Sequence, residues 1–199
     1  MFILDTGSGN GKGNDIEYQK DVINSLEGKD VILKYQLFLE AQPNTPLKRE
    51  VFRKCYNYAK KKGLQVTASV FDIDSLEFLQ TFDIPFIKLA NNPLAHKLAR
   101  WIHETPMIVS YPSPAEMGKR DLIKPLCCVS RYPAQAIQYE KNFTSYWLTQ
   151  GISDHTEGFD LYHKYQPETF EKHYCLKHDK SNPDAGEFAC IPRDLEGIL

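Results

Sequence analysis

The residues of this chain best able to do chemistry sit inside short apolar runs or just past their ends. Lys34-Tyr-Gln36, Ser153-Asp-His155 and Glu171-Lys-His173 each place two polar side chains at i and i+2, and in an extended strand such residues face the same side. Lys88 lies among Phe86, Ile87, Leu89 and Ala90, while Ser110 and Ser130 close the runs 107–111 and 126–130. Asp5 closes the first run, and Ser69 with Asp72 closes the third. His155 and His173, on consecutive runs, suit a Mn, Fe or Zn ion; the plainer reading is a pair of hydrogen-bonded core histidines. Lys34 and Lys88 offer positive charge to a phosphate or carboxylate. An apolar setting also suits Lys88 to a Schiff base, and the sequence leaves both roles open.

The elements that must position these groups follow from periodicity. Apolar, β-branched runs at 2–6, 31–38, 65–71, 86–90, 107–111, 126–130, 148–153 and 169–176 read as strands, with helical stretches at 15–26, 47–62, 74–81, 93–104, 134–146 and 158–166 between them. The stretch 47–62 is the clearest helix: Val51, Cys55, Tyr58 and Ala59 share one face, Lys and Arg fill the other, and Gly63 follows as a stop. Strands alternating with helices predict parallel βαβ units, and eight strands close a barrel. Such barrels run to about 250 residues with roughly 200 as the floor. The 199-residue chain is therefore expected to be α/β, a compact (β/α)8 TIM barrel with shortened or missing helices. It would occupy 1–199 as one domain, with 112–118 as the expected place of a lost helix. An open doubly wound sheet is the rival. In a barrel, the C-terminal strand ends form the active-site face, where inward side chains converge. Asp154 and Lys172 fall between the inward pairs, so both should point outward and could pair with each other.

Composition narrows the function classes. Lys plus Arg number 24 against 26 Asp plus Glu, a net charge of −2, so no basic excess favours nucleic acid. No apolar run approaches a bilayer span, and the first residues lack the pattern of a signal peptide. A cytoplasmic protein with no membrane partner is expected. Five cysteines without a Cys-x-x-Cys pair fit reduced, buried thiols. Gly7-Ser-Gly-Asn-Gly-Lys12-Gly-Asn14 follows a strand and precedes a helix, but it is one residue short of a phosphate loop, and Gly13 stands where that loop needs Ser or Thr. A mobile glycine loop near the site is the expectation. His173-Tyr-Cys175-Leu-Lys-His178 matches no standard zinc spacing.

Taken in order, Lys34-Tyr-Gln36, Phe71-Asp72, Phe86-Ile-Lys88-Leu-Ala90, Cys128-Val-Ser-Arg-Tyr-Pro133, Gly151-Ile-Ser-Asp-His-Thr156, Glu171-Lys-His-Tyr174, Pro183-Asp184 and Pro192-Arg-Asp-Leu195 resemble the sialic acid synthase family. That family comprises N-acetylneuraminate synthase and its legionaminate, pseudaminate and spore-coat relatives. The resemblance implies a (β/α)8 barrel that condenses phosphoenolpyruvate with an N-acylated amino-sugar aldehyde into a nonulosonate, releasing phosphate with a divalent metal, Mn or Mg. It implies His155 and His173 as metal ligands. Lys34, Lys88, Ser110 and Ser153 would hold phosphoenolpyruvate, with Ser69 and Ser130 at the same strand ends. Glu171 would sit by the reacting carbons, and Gln36, Tyr132 and Asp184 would contact the sugar. Asp5 stands where the family has a glutamate, one methylene longer.

There are departures. The family's Asn-His-Asn-Gly after strand one is a glycine-rich loop here, its Ser-Gly after the strand-four lysine is Asn91-Asn92, and its Ser-Thr-Gly-Met after strand five is Ser110-Tyr-Pro-Ser113. Members usually carry a small antifreeze-like domain after the barrel that reaches a partner's site with an arginine. This chain ends at Leu199, so the resemblance covers the barrel and that contact is not expected; a homodimer is the assembly it leaves open. These changes touch the sugar side more than the phosphoenolpyruvate side. The alternatives are a catalytically degenerate barrel that binds a sugar phosphate or a protein partner, and a pyruvate aldolase working through a metal or through a Schiff base at Lys88.

Overall fold

In the computed structural model, which describes residues 1–40, 43–116 and 122–199, the apolar runs form eight parallel strands. These are β1 (Phe2–Asp5), β2 (Val31–Leu37), β3 (Gln65–Val70), β4 (Ile87–Leu89), β5 (Met107–Tyr111), β6 (Ile123–Cys128), β7 (Ile152–Asp154) and β8 (Phe170–His173). They pair in chain order, and β8 pairs with β1 to close the barrel. The helices outside it are α1 (Ile16–Ser25), α2 (Arg49–Lys61), α3 (Ile73–Leu79), α4 (Pro93–Lys97), α5 (Ala136–Asn142), α6 (Ser145–Gln150) and α7 (Asp160–Tyr165). This is the expected (β/α)8 barrel with short helices. Between β5 and β6 the described residues hold only a 3-10 turn, Pro114–Glu116; the end of the segment expected to have lost its helix, 117–118, lies outside the described residues.

Period-two alternation sorts the strand side chains. Ile3, Ile32, Phe86, Ile108 and Leu126 form an apolar cluster of their own, separate from the main core, and two residues further along the same strands stand Asp5, Lys34, Lys88, Ser110 and Cys128. The barrel interior is thus an apolar floor beneath a polar layer. The opposite strand faces, such as Leu4, Leu33, Val66 and Val109, join the larger core with the helices. In α2 the buried face is Val51, Phe52, Cys55, Tyr56 and Ala59; Tyr58 is half-buried and donates its hydroxyl to Asn24. Phe52 packs edge-on against Tyr35, Phe78 and Phe82. Burial of each such side chain contributes about 1.5–3 kcal/mol.

Several expectations are corrected. Residues 148–150 belong to α6, not to a strand: Leu148 is the buried face of that helix. The strand starts only after Gly151, where a Cβ would overlap Leu126 of the neighbouring strand. Strand β6 runs Ile123–Cys128 with Pro125 within it, paired with Val109, so it starts before the expected Leu126 and Ser130 lies beyond its end. The stretch 93–104 is cut to α4 followed by a 3-10 turn, Leu98–Trp101, and 134–146 divides into α5 and α6, with extended Phe143 and Thr144 between them. All five cysteines are free and buried. No helix among the described residues is long and apolar enough to cross a membrane.

Asp72, grouped from sequence with the strand-end polar residues, is instead the N-cap of α3. Its carboxylate accepts from Ser75 N at 2.7 Å and from Leu39 N at 2.8 Å. Asp72→Ala should cost about 0.5–2 kcal/mol, the range for losing a cap, read as a lower urea midpoint at unchanged slope. A neutral substitution would show that the cap contributes nothing here.

Candidate active site

The C-terminal mouth of the barrel holds two connecting cavities. The inner one, about 330 Å³, is lined by Asp5, Lys34, Gln36, Ser69, Lys88, Ser110, Ser130, Tyr132, Ser153, His155, Glu171 and His173. The outer one, about 610 Å³, shares Gln36, Asn44, Tyr132 and His173 and adds Asp184, Lys180, Glu187 and Phe188. Apart from Asp72, every strand-end residue singled out from the sequence as a site candidate, with Tyr132 and Asp184, therefore borders this connected space. Cys128, Asn91 and Asn44 border it too. Cys128 could have been found by counting two residues on from inward Leu126; Asn91 and Asn44 sit on loops that periodicity does not place.

A buried chain of alternating charge runs across the inner cavity. Lys34 Nζ lies 2.6 Å from Asp5 Oδ2 and 3.8 Å from Glu171 Oε1, and donates to Ser69 Oγ at 3.1 Å. Lys88 Nζ lies 3.6 Å from the same Glu171 oxygen and donates to Ser110 Oγ at 2.8 Å and to Leu89 O at 3.2 Å. Ser153 Oγ donates to Glu171 Oε1 at 2.8 Å. All four charged side chains are buried. Glu171 Oε2 is buried and has no hydrogen-bond partner, an unfavourable arrangement that calls for a ligand atom or water.

Asp5 is fully used by the chain: Oδ1 accepts from Gly7 N at 2.9 Å, and Oδ2 accepts from Lys34 and, at 2.9 Å, from Gln36 Nε2. Burial alone would raise its pKa, but the Lys34 charge, His173 and the two side-chain hydrogen bonds outweigh it and hold the carboxyl well below the usual range. Burial likewise acts to lower Lys34, and Asp5 with Glu171 reverses this to a net rise. At Lys88, burial prevails over Glu171 and the pKa falls. For Asp5 the sign is fixed. With a folded value below the unfolded one, its stabilisation is complete above about pH 4 and is lost as pH falls through the folded value. The stability gap between wild type and Asp5→Asn should therefore close on acidification below about pH 4, measured by urea unfolding at stepped pH. A gap constant down to pH 2 would show that Asp5 is not held ionised.

The two histidines are oriented alike. His155 Nδ1 contacts Val129 O at 2.7 Å and His173 Nδ1 contacts Asp184 O at 3.2 Å, so Nδ1 of each ring donates to a carbonyl and Nε2 is turned away from it. Their rings are 5.7 Å apart, and Tyr132 lies against His155 at 4.2 Å between centroids. Burial pushes the His155 pKa down to about 3, which keeps the ring neutral. Imidazoles fixed through Nδ1 by main-chain carbonyls are the donor set of a metal ligand pair, so these residues fit a divalent ion. No group of three His, Cys, Asp or Glu among the described residues could hold one, so the remaining positions would fall to water or substrate. Ser130 is exposed and accepts from Asn91 Nδ2 at 2.9 Å.

The glycine-rich segment 7–14 is not the free loop that its composition suggests. Gly7, Ser8, Gly9, Asn10 and Gly13 are buried, and the segment is tied down by Gly9 N to Thr45 O at 2.9 Å and Asn14 Nδ2 to Pro46 O at 3.0 Å. Gly13 leaves room for Ser8 O, which a Cβ would overlap.

Comparison with known proteins gives three findings. A model of the NeuB family matches residues 20–198. An uncharacterized protein of Methanocaldococcus jannaschii is 24% identical over 221 residues, covering 92% of this chain and 64% of the relative; the chain spans just under two thirds of that relative's length. Among solved structures, an N-acetylneuraminic acid (sialic acid) synthetase from Leptospira borgpetersenii, in complex with citrate, superposes with a TM-score of 0.78 at 19% identity over 98% of this chain and 79% of its own. Spore coat polysaccharide biosynthesis protein SpsE from Bacillus subtilis gives 0.74 at 19% over 99% and 65%. At such identities the structural likeness is one of fold.

Proposed function

The chain belongs to the NeuB family, and from that premise we propose that it condenses phosphoenolpyruvate with an amino-sugar aldehyde to form a sialic-acid-like nonulosonate, releasing phosphate. The observation that carries this reading is Glu171, a buried carboxylate with one orphan oxygen, lodged between two ammonium groups. Phosphoenolpyruvate brings two anionic groups, and Lys34 and Lys88 with the hydroxyls of Ser69, Ser110 and Ser153 line one cavity that would receive them. Such donors are preorganised, so they cost no reorganisation as charge shifts.

The enol C3 attacks the aldehyde carbon and forms the C–C bond. Water adds at C2, giving one proton to Glu171 Oε2, which passes it to the new alkoxide. The C2–O bond then breaks, and phosphate leaves with the proton of the C2 hydroxyl. Glu171 is thus the general base and then the general acid, Lys88 and Lys34 stabilise the departing phosphate, and Gln36, Tyr132 and Asp184 contact the sugar. A divalent ion, Mn or Mg, held by His155 and His173 would supply Lewis acidity toward the aldehyde oxygen. The intact charge network argues against a degenerate binding barrel, since a carboxylate set between two anion-binding lysines weakens anion binding unless it has work to do.

The test is thermal unfolding with Mn and phosphoenolpyruvate on wild type and His155→Ala, alongside phosphate release with a panel of N-acetylhexosamines. At about 100 times the dissociation constant, a ligand adds roughly 2.7 kcal/mol, a rise of roughly 5–10 °C at this size. A metal-dependent rise that is lost in His155→Ala, with acceptor-dependent phosphate release, supports the reading. No shift with either ligand and no release would overturn it.

A further inference from the structure

We infer that the glycine-rich segment 7–14 is a positioning device for the acceptor subsite, with Ser8 and Asn10 as positioning residues that act through Asp184 and Asn44; this rests on the function proposed above. Asp184 Oδ2 accepts three hydrogen bonds from the segment: Ser8 N at 3.1 Å, Ser8 Oγ at 3.0 Å and Asn10 Nδ2 at 3.1 Å. Gly7, at φ +79°, brings the backbone so close to Asp184 that a Cβ there would overlap its carboxyl carbon. Three donors on one oxygen fix the carboxylate's rotation. They leave Oδ1 without a protein donor among the described residues, and Asp184 lines the outer cavity.

Asn10 serves a second wall residue at the same time. Its Nδ2 also donates to Asn44 Oδ1 at 3.1 Å, and its own Oδ1 accepts from Thr45 N at 2.8 Å, so the whole amide of this buried residue is satisfied. With Asn44 Oδ1 engaged, its Nδ2 remains to donate. Gln36 Nε2 is engaged by Asp5, so its Oε1 remains to accept. The outer cavity therefore presents acceptor, donor and acceptor groups on Asp184, Asn44 and Gln36, a set matched to adjacent hydroxyls and the amide of an acylated amino sugar. Asp184 is also linked to the inner cavity through His173, which lines both and whose Nδ1 contacts the Asp184 main-chain oxygen. A substitution that only loosened the fold would disturb both cavities, whereas loss of positioning should be felt on the acceptor side.

The experiment measures kcat and both KM values with whichever N-acetylhexosamine turns over, for Ser8→Ala, Asn10→Ala and the double variant, each in wild-type and Asp184→Ala backgrounds. The double variant should raise the acceptor KM about 10- to 100-fold, in line with hydrogen bonds to a charged group, with kcat and the phosphoenolpyruvate KM within about 3-fold. Ser8→Thr, which keeps the hydroxyl, should restore the value, and in Asp184→Ala the Ser8→Ala substitution should add nothing further. If the double variant does not fold, Asn10→Asp serves instead: it is isosteric but sets an acceptor against Asp184, and it should raise the acceptor KM at least as much. An unchanged acceptor KM, a parallel rise in the phosphoenolpyruvate KM, or additivity of Ser8→Ala with Asp184→Ala would overturn the inference while leaving the proposed reaction standing. Wild type that releases no phosphate with any acceptor would overturn the reaction itself, and this role with it.

Discussion

Asp154→Ala should unfold roughly 6–20 °C below wild type. Asp154 Oδ2 lies 2.9 Å from Lys172 Nζ on the outer faces of β7 and β8, and the two side chains are 0% and 1% exposed. The ammonium also donates to Thr156 O at 2.8 Å and lies 5.4 Å from the centre of the Phe159 ring, while Asp154 Oδ1 accepts from Thr156 N at 2.8 Å. Removing the aspartate leaves a buried positive charge facing an aromatic ring and one carbonyl. Breaking such a pair typically costs about 3–5 kcal/mol, and a chain of this length loses about 2–4 °C per kcal/mol. The loss comes from the stranded partner rather than from the bond, so Asp154→Leu with Lys172→Met should recover most of the stability. A single variant within about 2 °C of wild type would show that water reaches Lys172, and the pair would then be ordinary surface charge.

That pair was legible before any coordinates, for the same reason as the barrel mouth. The interval of two residues that separates Ser153 from His155 and Glu171 from His173 leaves Asp154 and Lys172 on the opposite face, and both do face outward and meet. The same alternation marks Lys34, Lys88 and Ser110, because an inward position on a short buried strand admits a polar residue only where it has partners. It misplaced Leu148 because an apolar run of that length has no period of its own. There the arbiter was the steric demand at Gly151, whose neighbours Leu126 and Pro125 come from a different strand. The run 126–130 starts three residues after the strand does; Pro125, which on its own argues against a strand, is half-buried within it opposite Val109. The role of segment 7–14 was hidden more deeply. Its glycines read as freedom, but each admits a close neighbour, and the partner that gives Ser8 and Asn10 their meaning lies 176 and 174 residues away. Contacts of that span leave no periodic trace.

Glu171→Gln should separate binding from chemistry at the proposed site. Without ligand, Asp5, Glu171, Lys34 and Lys88 balance in charge, and Glu171 Oε1 occupies a point 3.8 Å and 3.6 Å from the two ammonium groups, where an incoming anion would be drawn. A bound phosphoenolpyruvate must share those lysines with the carboxylate, so the wild-type site carries repulsion into the complex. Glutamine keeps the shape and can still accept from Ser153 at the position of Oε1, but it neither repels the ligand nor moves a proton. The variant should therefore bind phosphoenolpyruvate at least as tightly as wild type, by calorimetry or thermal shift, while kcat falls about 10²- to 10⁴-fold, the range for losing a general acid–base group. The acceptor KM should change little, since Asp184 and Asn44 lie outside this network. Weakened phosphoenolpyruvate binding with kcat retained would instead make Glu171 a brace for Lys34 and Lys88, and the proton would then have to travel by another group. Asp5 offers no substitute, since Lys34, Gln36 and Gly7 N already engage both its oxygens. The orphan oxygen of Glu171 is the acceptor in the inner cavity that is buried and still unclaimed, which is why the largest catalytic loss is expected at this residue.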